Sequence, residues 1–422
     1  MDKFFIQGGI PLKGEVIVSG SKNAALPILC SSILAEGPCT YTNVPKLLDI
    51  TTIGKLLGTM GMKVSRTAAD TIEIDPTGLS SKEAPYDLVK SMRASILVLG
   101  PLLAKYGEAK VSLPGGCAIG VRPVDLHLKA LAKMGADINL SHGFVMASIN
   151  GRLKGTTIVF DNTTVGGTEN ILMAAALADG VTVIQGAAME PEVVDLANAL
   201  NAMGARIQGV GESTVTIEGV KELDGIRYRV IPDRIETGTL LVAGAITKGD
   251  IVLRGHTTDH VVAVIEKLSE MGVSIEHLPD GGLRVDGRGD LKPVQIETVP
   301  YPGFPTDMQA QIMALACVAN GTSRITENIF ENRFMHVPEL VRLGGCLEEV
   351  GNTVIVQGVE QFQGASVMAT DLRASASLVL AALNAKGYSE VRRIYHLDRG
   401  YEALDQKLTK LGAFVRREKG EL

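Results

Sequence analysis

The apolar positions of this 422-residue chain follow one pattern written six times. It begins with a run rich in Ala, Leu and Ile that has almost no polar face. Ile171-Leu172-Met173-Ala174-Ala175-Ala176-Leu177-Ala178 is an example, and it predicts a helix buried on most sides. Each run ends near a glycine and leads into a short alternating stretch, such as Asp250-Ile251-Val252-Leu253-Arg254, which predicts a strand. An amphipathic helix follows, closed by Leu, two variable residues, Met or Leu, and Gly. This signature occurs at 57–61, 131–135, 200–204, 268–272, 340–344 and 408–412. A glycine just past a helix accepts the left-handed conformation that ends it, and a β-type run comes next each time. The six closing glycines lie 68 to 74 residues apart. The glycines after the buried helices, Gly37, Gly107, Gly180, Gly249, Gly321 and Gly387, lie 66 to 73 apart. Two independent markers on one period define a repeat.

A unit of about 70 residues cannot bury an all-apolar helix alone, so neighbouring units share a core. The chain is also too long for one ordinary core. Six units over two cores give three per domain, an α/β architecture of α+β repeats. The N-terminal strands, Phe4–Gln7 and Glu15–Val18, precede the first unit and are expected to pair with the last. One domain is then continuous, residues 21–230, and the other is built from both chain ends, 1–20 plus 231–422.

Composition narrows the function. Apolar residues make up 45% and charged residues 21%, as in a soluble globular protein. Aromatics are 4% and the net charge is -6. Base-stacking surfaces and a nucleic-acid or anionic-membrane face are therefore not expected. No signal-peptide pattern opens the chain, and the longest mainly apolar run, 94–104, is too short for a membrane span. The five scattered Cys show no zinc spacing and fit a reducing cytoplasm. No P-loop occurs. An anionic substrate has to be held by local cations against the global sign.

The repeat supplies those cations by alignment. Fourteen residues before each glycine of the second set stand Asn23, Arg93, Gly166, Ile235, Asp307 and Arg373, near the starts of the buried helices. One place earlier come Lys22 and Arg234. Twelve residues after the glycine, in the loop expected to follow the strand, stand Asp49, Ile119, Glu192, Val261, Arg333 and Arg399. Arginine at a helix N-terminus opposes the macrodipole, which disfavours folding but suits an anion site. Lys22, Arg93, Arg122, Arg333, Arg373 and Arg399 together suit phosphate and carboxylate groups. Asp307 reads either as an N-terminal helix charge or as a general base among cations. The segment Val165-Gly166-Gly167-Thr168 reads either as a phosphate-accepting helix start or as a cap. The seven His share no spacing and read as structural or as support behind the site residues.

The loop 113–125, Leu-Pro-Gly-Gly-Cys-Ala-Ile-Gly-Val-Arg-Pro-Val-Asp, places Cys117 among Gly115, Gly116 and Gly120, five residues before Arg122. A thiol near a guanidinium is a candidate for reactive chemistry, and a Gly-rich turn with an inert thiol is the alternative.

These motifs resemble the enolpyruvyl transferase family, in its peptidoglycan branch. The matching segments are 20–27 (Gly-Ser-Lys-Asn-Ala-Ala-Leu-Pro), 92–95, 114–126, 232–238 (Pro-Asp-Arg-Ile-Glu-Thr-Gly), 304–311, 329–336, 371–375 and 398–402, which span the chain. The Cys117 loop is specific to that branch; the shikimate branch shares the six-unit fold without it. The resemblance implies two inverse α/β-barrel-like domains with the active site in a cleft between them. It implies transfer of enolpyruvyl from phosphoenolpyruvate to the 3-hydroxyl of UDP-N-acetylglucosamine, by addition–elimination with release of phosphate, without metal or cofactor. This reaction opens bacterial peptidoglycan synthesis in the cytoplasm. By residue, the resemblance implies Cys117 as general acid and adduct-forming thiol, and Asp307 as acceptor of the hydroxyl proton. It implies Lys22, Arg122 and Arg399 at the phosphate and carboxylate of phosphoenolpyruvate, with Arg93, Arg333 and Arg373 completing the cationic set and the neutral amide of Asn23 beside them. It implies Asn23, Arg93, Arg122, Pro123, Val124, Asp125, Leu126, Thr164, Gly166, Asp307, Ile329 and Phe330 at the nucleotide sugar. Asn162 departs from the family pattern, since many members carry Lys there; its loss removes one cationic contact to the diphosphate.

Overall fold

Buried helices and half-buried strands organise the computed structural model, which describes residues 2–89, 92–113 and 124–419. Each repeat has the predicted order. In the third, the helix Val165–Ala176 is buried along its length past the first turn, and the strand Val181–Gln185, the helix Pro191–Ala202 and the strands Arg206–Gln208 and Thr214–Glu218 follow. The six glycines that close the second helices are all left-handed, with φ from +87° at Gly272 to +105° at Gly204. A side chain is disfavoured there, which is why this marker is so regular.

Among the described residues there are six sheets of four strands each. In the third repeat, Thr157–Val159, from the linker before the repeat, lies parallel to Val181–Gln185. That strand is antiparallel to Thr214–Glu218, which pairs with Arg206–Gln208. Burial alternates along Val181–Gln185, so one face of the sheet covers the core and the other meets solvent.

The chain forms two compact units. One comprises residues 2–19 and 232–419, the other 20–113 and 124–231. In the first, the helices Arg234–Ile246, Gln309–Ala316 and Leu372–Asn384 pack pairwise on one another. Leu240, Ile312 and Leu378, one on each, are fully buried. A buried leucine is worth roughly 1.5–3 kcal/mol, so the all-apolar helices are stable only inside this cluster. In the second unit, Lys22–Ser31, Leu99–Tyr106 and Val165–Ala176 do the same work in a core of their own. Helices inside and sheets outside make each unit an inverse α/β barrel.

One expectation is half right. Lys3–Gln7 does join the last repeat, antiparallel between Tyr388–Arg392 and Phe414–Glu418. Lys13–Ile17 instead pairs parallel with Asp250–Arg254 of the fourth repeat. In the last sheet the equivalent place, beside Tyr388–Arg392, is taken by Ser366–Met368. In the fourth sheet that place is open to it, because the sheet's own preceding strand, Arg227–Arg229, pairs with Cys39–Thr42 of the first repeat. The first and fourth repeats thus exchange their linker strands.

Candidate active site

The predicted helix starts are where alignment put them. Asn23, Gly166, Ile235 and Arg373 are each second in their helices, and Asp307 is second in the 3-10 turn Thr306–Met308. Arg93 opens a 3-10 helix, Arg93–Val98, rather than an α-helix. The second set is partly displaced. Asp49 and Glu192 lie in the first turns of Leu48–Thr59 and Pro191–Ala202, not in loops. A carboxylate is favoured there by the macrodipole, and Pro191 supplies a ready-made first turn. Arg333 precedes the helix Val337–Arg342, and Arg399 ends the 3-10 helix Ile394–Arg399. Cys117, Arg122 and Pro123 lie outside the described residues.

In the first unit the repeat brings three candidates into contact. Asp307 Oδ1 accepts from Arg333 Nη2 at 2.5 Å, and Oδ2 from Arg373 Nη2 at 2.8 Å. The guanidiniums are 6% and 4% exposed, while the Asp307 side chain keeps 25% of its surface open. Burial alone pushes the Asp307 carboxyl up, but the charges of Arg373 and Arg333 outweigh it and hold the group well below the ordinary carboxylate range. The triad carries one excess positive charge. Nε and Nη1 of Arg373 are buried and have no hydrogen-bond partner among the described residues. A buried donor left unpaired costs about 1–3 kcal/mol, so these two groups favour an anion. The Arg373 guanidinium lies 5.4 Å over the Tyr401 ring, and Tyr401 OH and Asp307 O both accept from Gln311 Nε2. Phe330 lies under Arg333 at 5.2 Å.

In the second unit Lys22 meets Asp49 at 3.2 Å, both buried. Thr164 caps Val165–Ala176, its Oγ1 accepting from Gly167 N at 3.2 Å, so the cap reading of this segment holds. Val124 precedes the helix Asp125–Lys133, and Val124 and Leu126 pack on the core. The residue that sequence reasoning passed over is His127. Asn170 Nδ2 donates to its Nδ1 at 3.1 Å, since Asn170 Oδ1 already accepts from Gly100 N. A Cβ on Gly166 would stand 3.3 Å from the His127 ring, so glycine is what lets this helix start approach it. Burial, then the charge of Arg93, depresses the imidazole to about 4, against the pull of Asp125. His127 therefore links Arg93, Asp125 and Gly166.

A pH effect follows. The ring's folded pKa of about 4 lies below its ordinary 6.5, so the unfolded chain takes up the proton first. The contribution of the neutral ring is whole above pH 6.5 and is lost as pH falls toward 4. Unfolding free energy is expected to drop by about 2 kcal/mol more between pH 7 and pH 5 in the wild type than in His127→Gln. Urea titrations of both proteins at the two pH values measure this, and equal drops contradict it.

A cavity of about 400 Å³ opens beside Arg234, Asp259, His260, Tyr301 and Pro305. None of the proposed site residues lines it, so the polar side chains rather than this hollow define the site. Among the described residues no helix is long and apolar enough to cross a membrane.

Comparison with known proteins gives the family. The family model for EPSP synthase (3-phosphoshikimate 1-carboxyvinyltransferase) matches residues 6–408. A UDP-N-acetylglucosamine 1-carboxyvinyltransferase of Anaeromyxobacter dehalogenans is 57% identical over all of both chains. One of Nitratidesulfovibrio vulgaris is 57% identical over 99% of this chain and 100% of its own. Among solved structures, the enolpyruvyl transferase NikO of Streptomyces tendae superposes with a TM-score of 0.89 at 28% identity, over 100% of this chain and 99% of that one. EPSP synthase of Acinetobacter baumannii shares the fold, with a TM-score of 0.78 at 20% identity over 99% of this chain and 100% of that one. The chain belongs to the EPSP synthase family of enolpyruvyl, or carboxyvinyl, transferases.

Proposed function

We propose that this transferase moves the enolpyruvyl group of phosphoenolpyruvate to the 3-hydroxyl of UDP-N-acetylglucosamine and releases phosphate. The observation that carries the reading within the fold is the Arg333–Asp307–Arg373 triad, a carboxylate between two buried cations with free donors on one of them. The sugar oxygen attacks C2 of phosphoenolpyruvate while its proton passes to Asp307 and a proton is delivered to C3. Loss of phosphate from C2 and of a proton from C3 then restores the double bond on the transferred group.

Asp307 is too weak a base while both guanidiniums face it. An anion that engages the free donors of Arg373 draws positive charge from the carboxylate and raises its proton affinity, so the base is strengthened when substrate is bound. Lys22, Asn23, Arg93, Arg122 and Arg399 hold the phosphate and carboxylate in this reading, and Cys117 supplies the proton to C3. Val124, Asp125, Leu126, Thr164, Gly166, Ile329 and Phe330, with Pro123, hold the nucleotide sugar. The substrates are small molecules. The enzyme works in the bacterial cytoplasm as the first committed step of peptidoglycan synthesis, and so in cell-wall biogenesis, cell shape and division.

The family model's own description keeps the shikimate branch as the second reading. Phosphate release from phosphoenolpyruvate, measured with each acceptor in turn, separates the two. Release with UDP-N-acetylglucosamine is expected. Release only with shikimate 3-phosphate overturns the proposal, as does tight nucleotide-sugar binding without turnover, the behaviour of a non-catalytic paralogue.

A further inference from the structure

We infer that Glu327 is a positioning residue for proton acceptance at Asp307, acting through the hydroxyl of Thr306. The inference rests on the reading of Asp307 as the base. Glu327 follows the strand Thr322–Thr326 and is 4% exposed. The equivalent strand ends in the first, third, fourth and sixth repeats turn on a left-handed residue: Asn43, Gly186, Gly255 and Arg393, with φ of +57°, +74°, +68° and +59°. Glu327 is not one of these, and its carboxylate organises the turn instead. Oε1 accepts from Thr298 Oγ1 at 2.7 Å, Ile329 N at 2.8 Å and Phe330 N at 3.2 Å. Oε2 accepts from Thr306 Oγ1 at 2.7 Å. One buried carboxylate thus ties the segment bearing Asp307 to the segment bearing Ile329 and Phe330.

The hydrogen-bond directions are forced. A hydroxyl has one proton, and Thr306 gives it to Glu327, which as a carboxylate only accepts. The Thr306 oxygen is then left to accept from Arg333 Nη1, at 2.8 Å, and arginine can only donate. The relay runs from Arg333 to Thr306 to Glu327. It fixes the guanidinium plane so that Nη2 meets Asp307 Oδ1. Among the described residues, the charged groups that act on Asp307 are Arg333, ahead of the helix Val337–Arg342, and Arg373 of Leu372–Asn384. Adding Glu327 makes this group of four neutral. An incoming anion that engages Arg373 then changes the field at Asp307 while Arg333 stays in place.

In Glu327→Gln the remaining oxygen can still serve Thr298 and the two backbone N–H groups. The new amide cannot take the Thr306 proton and donates to the Thr306 oxygen instead, so Arg333 shares that oxygen with a second donor and the hydroxyl proton is left without its carboxylate. Arg333 is held less firmly and its charge acts less strongly on Asp307. With phosphoenolpyruvate and UDP-N-acetylglucosamine, kcat is expected to fall about tenfold to a hundredfold, with KM for the nucleotide sugar within about threefold. The acid limb of the kcat profile, which reports the base in the loaded enzyme, is expected to move up by about one pH unit. Thr306→Val should reproduce both effects and Thr306→Ser should keep wild-type behaviour. The double variant Thr306→Val/Glu327→Gln should lose no more than either single change. An unmoved acid limb in Glu327→Gln, or additive losses in the double variant, overturns the relay, because a merely structural carboxylate predicts both. Normal turnover by Asp307→Asn would instead overturn the reading of the base, whatever Glu327 does.

Discussion

Asp307→Asn is expected to lower kcat by about a thousandfold, a fold-change much larger than any change in KM, since a positioned general base contributes on the order of 10²–10⁴. The amide keeps the shape of the carboxylate but cannot take the hydroxyl proton. It also leaves Arg333 and Arg373, both buried, facing each other without the charge between them. Two further results are therefore expected. The melting temperature should fall, and a phosphoenolpyruvate analogue should bind more tightly, because the triad's excess positive charge rises from one to two. Steady-state kinetics, thermal melts and a binding titration on one preparation separate lost chemistry from lost folding. A folded variant with kcat within tenfold of wild type would remove Asp307 from the reaction.

The second large effect is expected at Cys117. Cys117→Ser should reduce turnover by about a hundredfold or more, because a hydroxyl is a far weaker acid than a thiol and delivers its proton poorly to C3. The acid role is what the resemblance to the peptidoglycan branch implies; the loop's glycines and Arg122 by themselves make the thiol a candidate, and this segment lies outside the described residues. A phosphonate epoxide shaped like phosphoenolpyruvate, as fosfomycin is, should alkylate Cys117 and stop turnover. The other thiols make the labelling a sharp test. Cys30, Cys39 and Cys317 are buried, and burial raises their thiols, which suppresses thiolate. Cys346 is exposed and is the natural competitor. Peptide mapping that finds label on Cys346 and not on Cys117, or near-normal turnover in Cys117→Ser, would refute the acid role.

Much of this molecule was legible because its information is local. Left-handed glycines such as Gly61 and Gly204 mark helix ends through backbone sterics alone, whatever packs nearby. Counting back from the glycines that follow the buried helices placed Asn23, Gly166, Asp307 and Arg373 at helix or turn starts, and the fold class followed from the period. The same counting misjudged Asp49 and Glu192, because where a helix begins depends on caps and on Pro191 rather than on distance from a glycine.

What the chain alone determined, then, is the repeat, its elements and the residue types offered at each helix start, all set by steric and hydrophobic rules that act over a few residues. Tertiary structure decided who meets whom. Lys13–Ile17 joins the fourth repeat because the equivalent place in the last sheet is taken by Ser366–Met368, a fact of pairing across more than two hundred residues. His127 meets Arg93 and Gly166 only because the elements bearing them converge on its helix. The positions equivalent to Glu327 hold other residue types, among them Asn43, Gly186, Gly255 and Arg393, so alignment within the chain gives it no shared role. Its hold on Thr306 and, through it, on Arg333 and Asp307 exists only once the strand end, the turn and the arginine are brought within hydrogen-bonding distance.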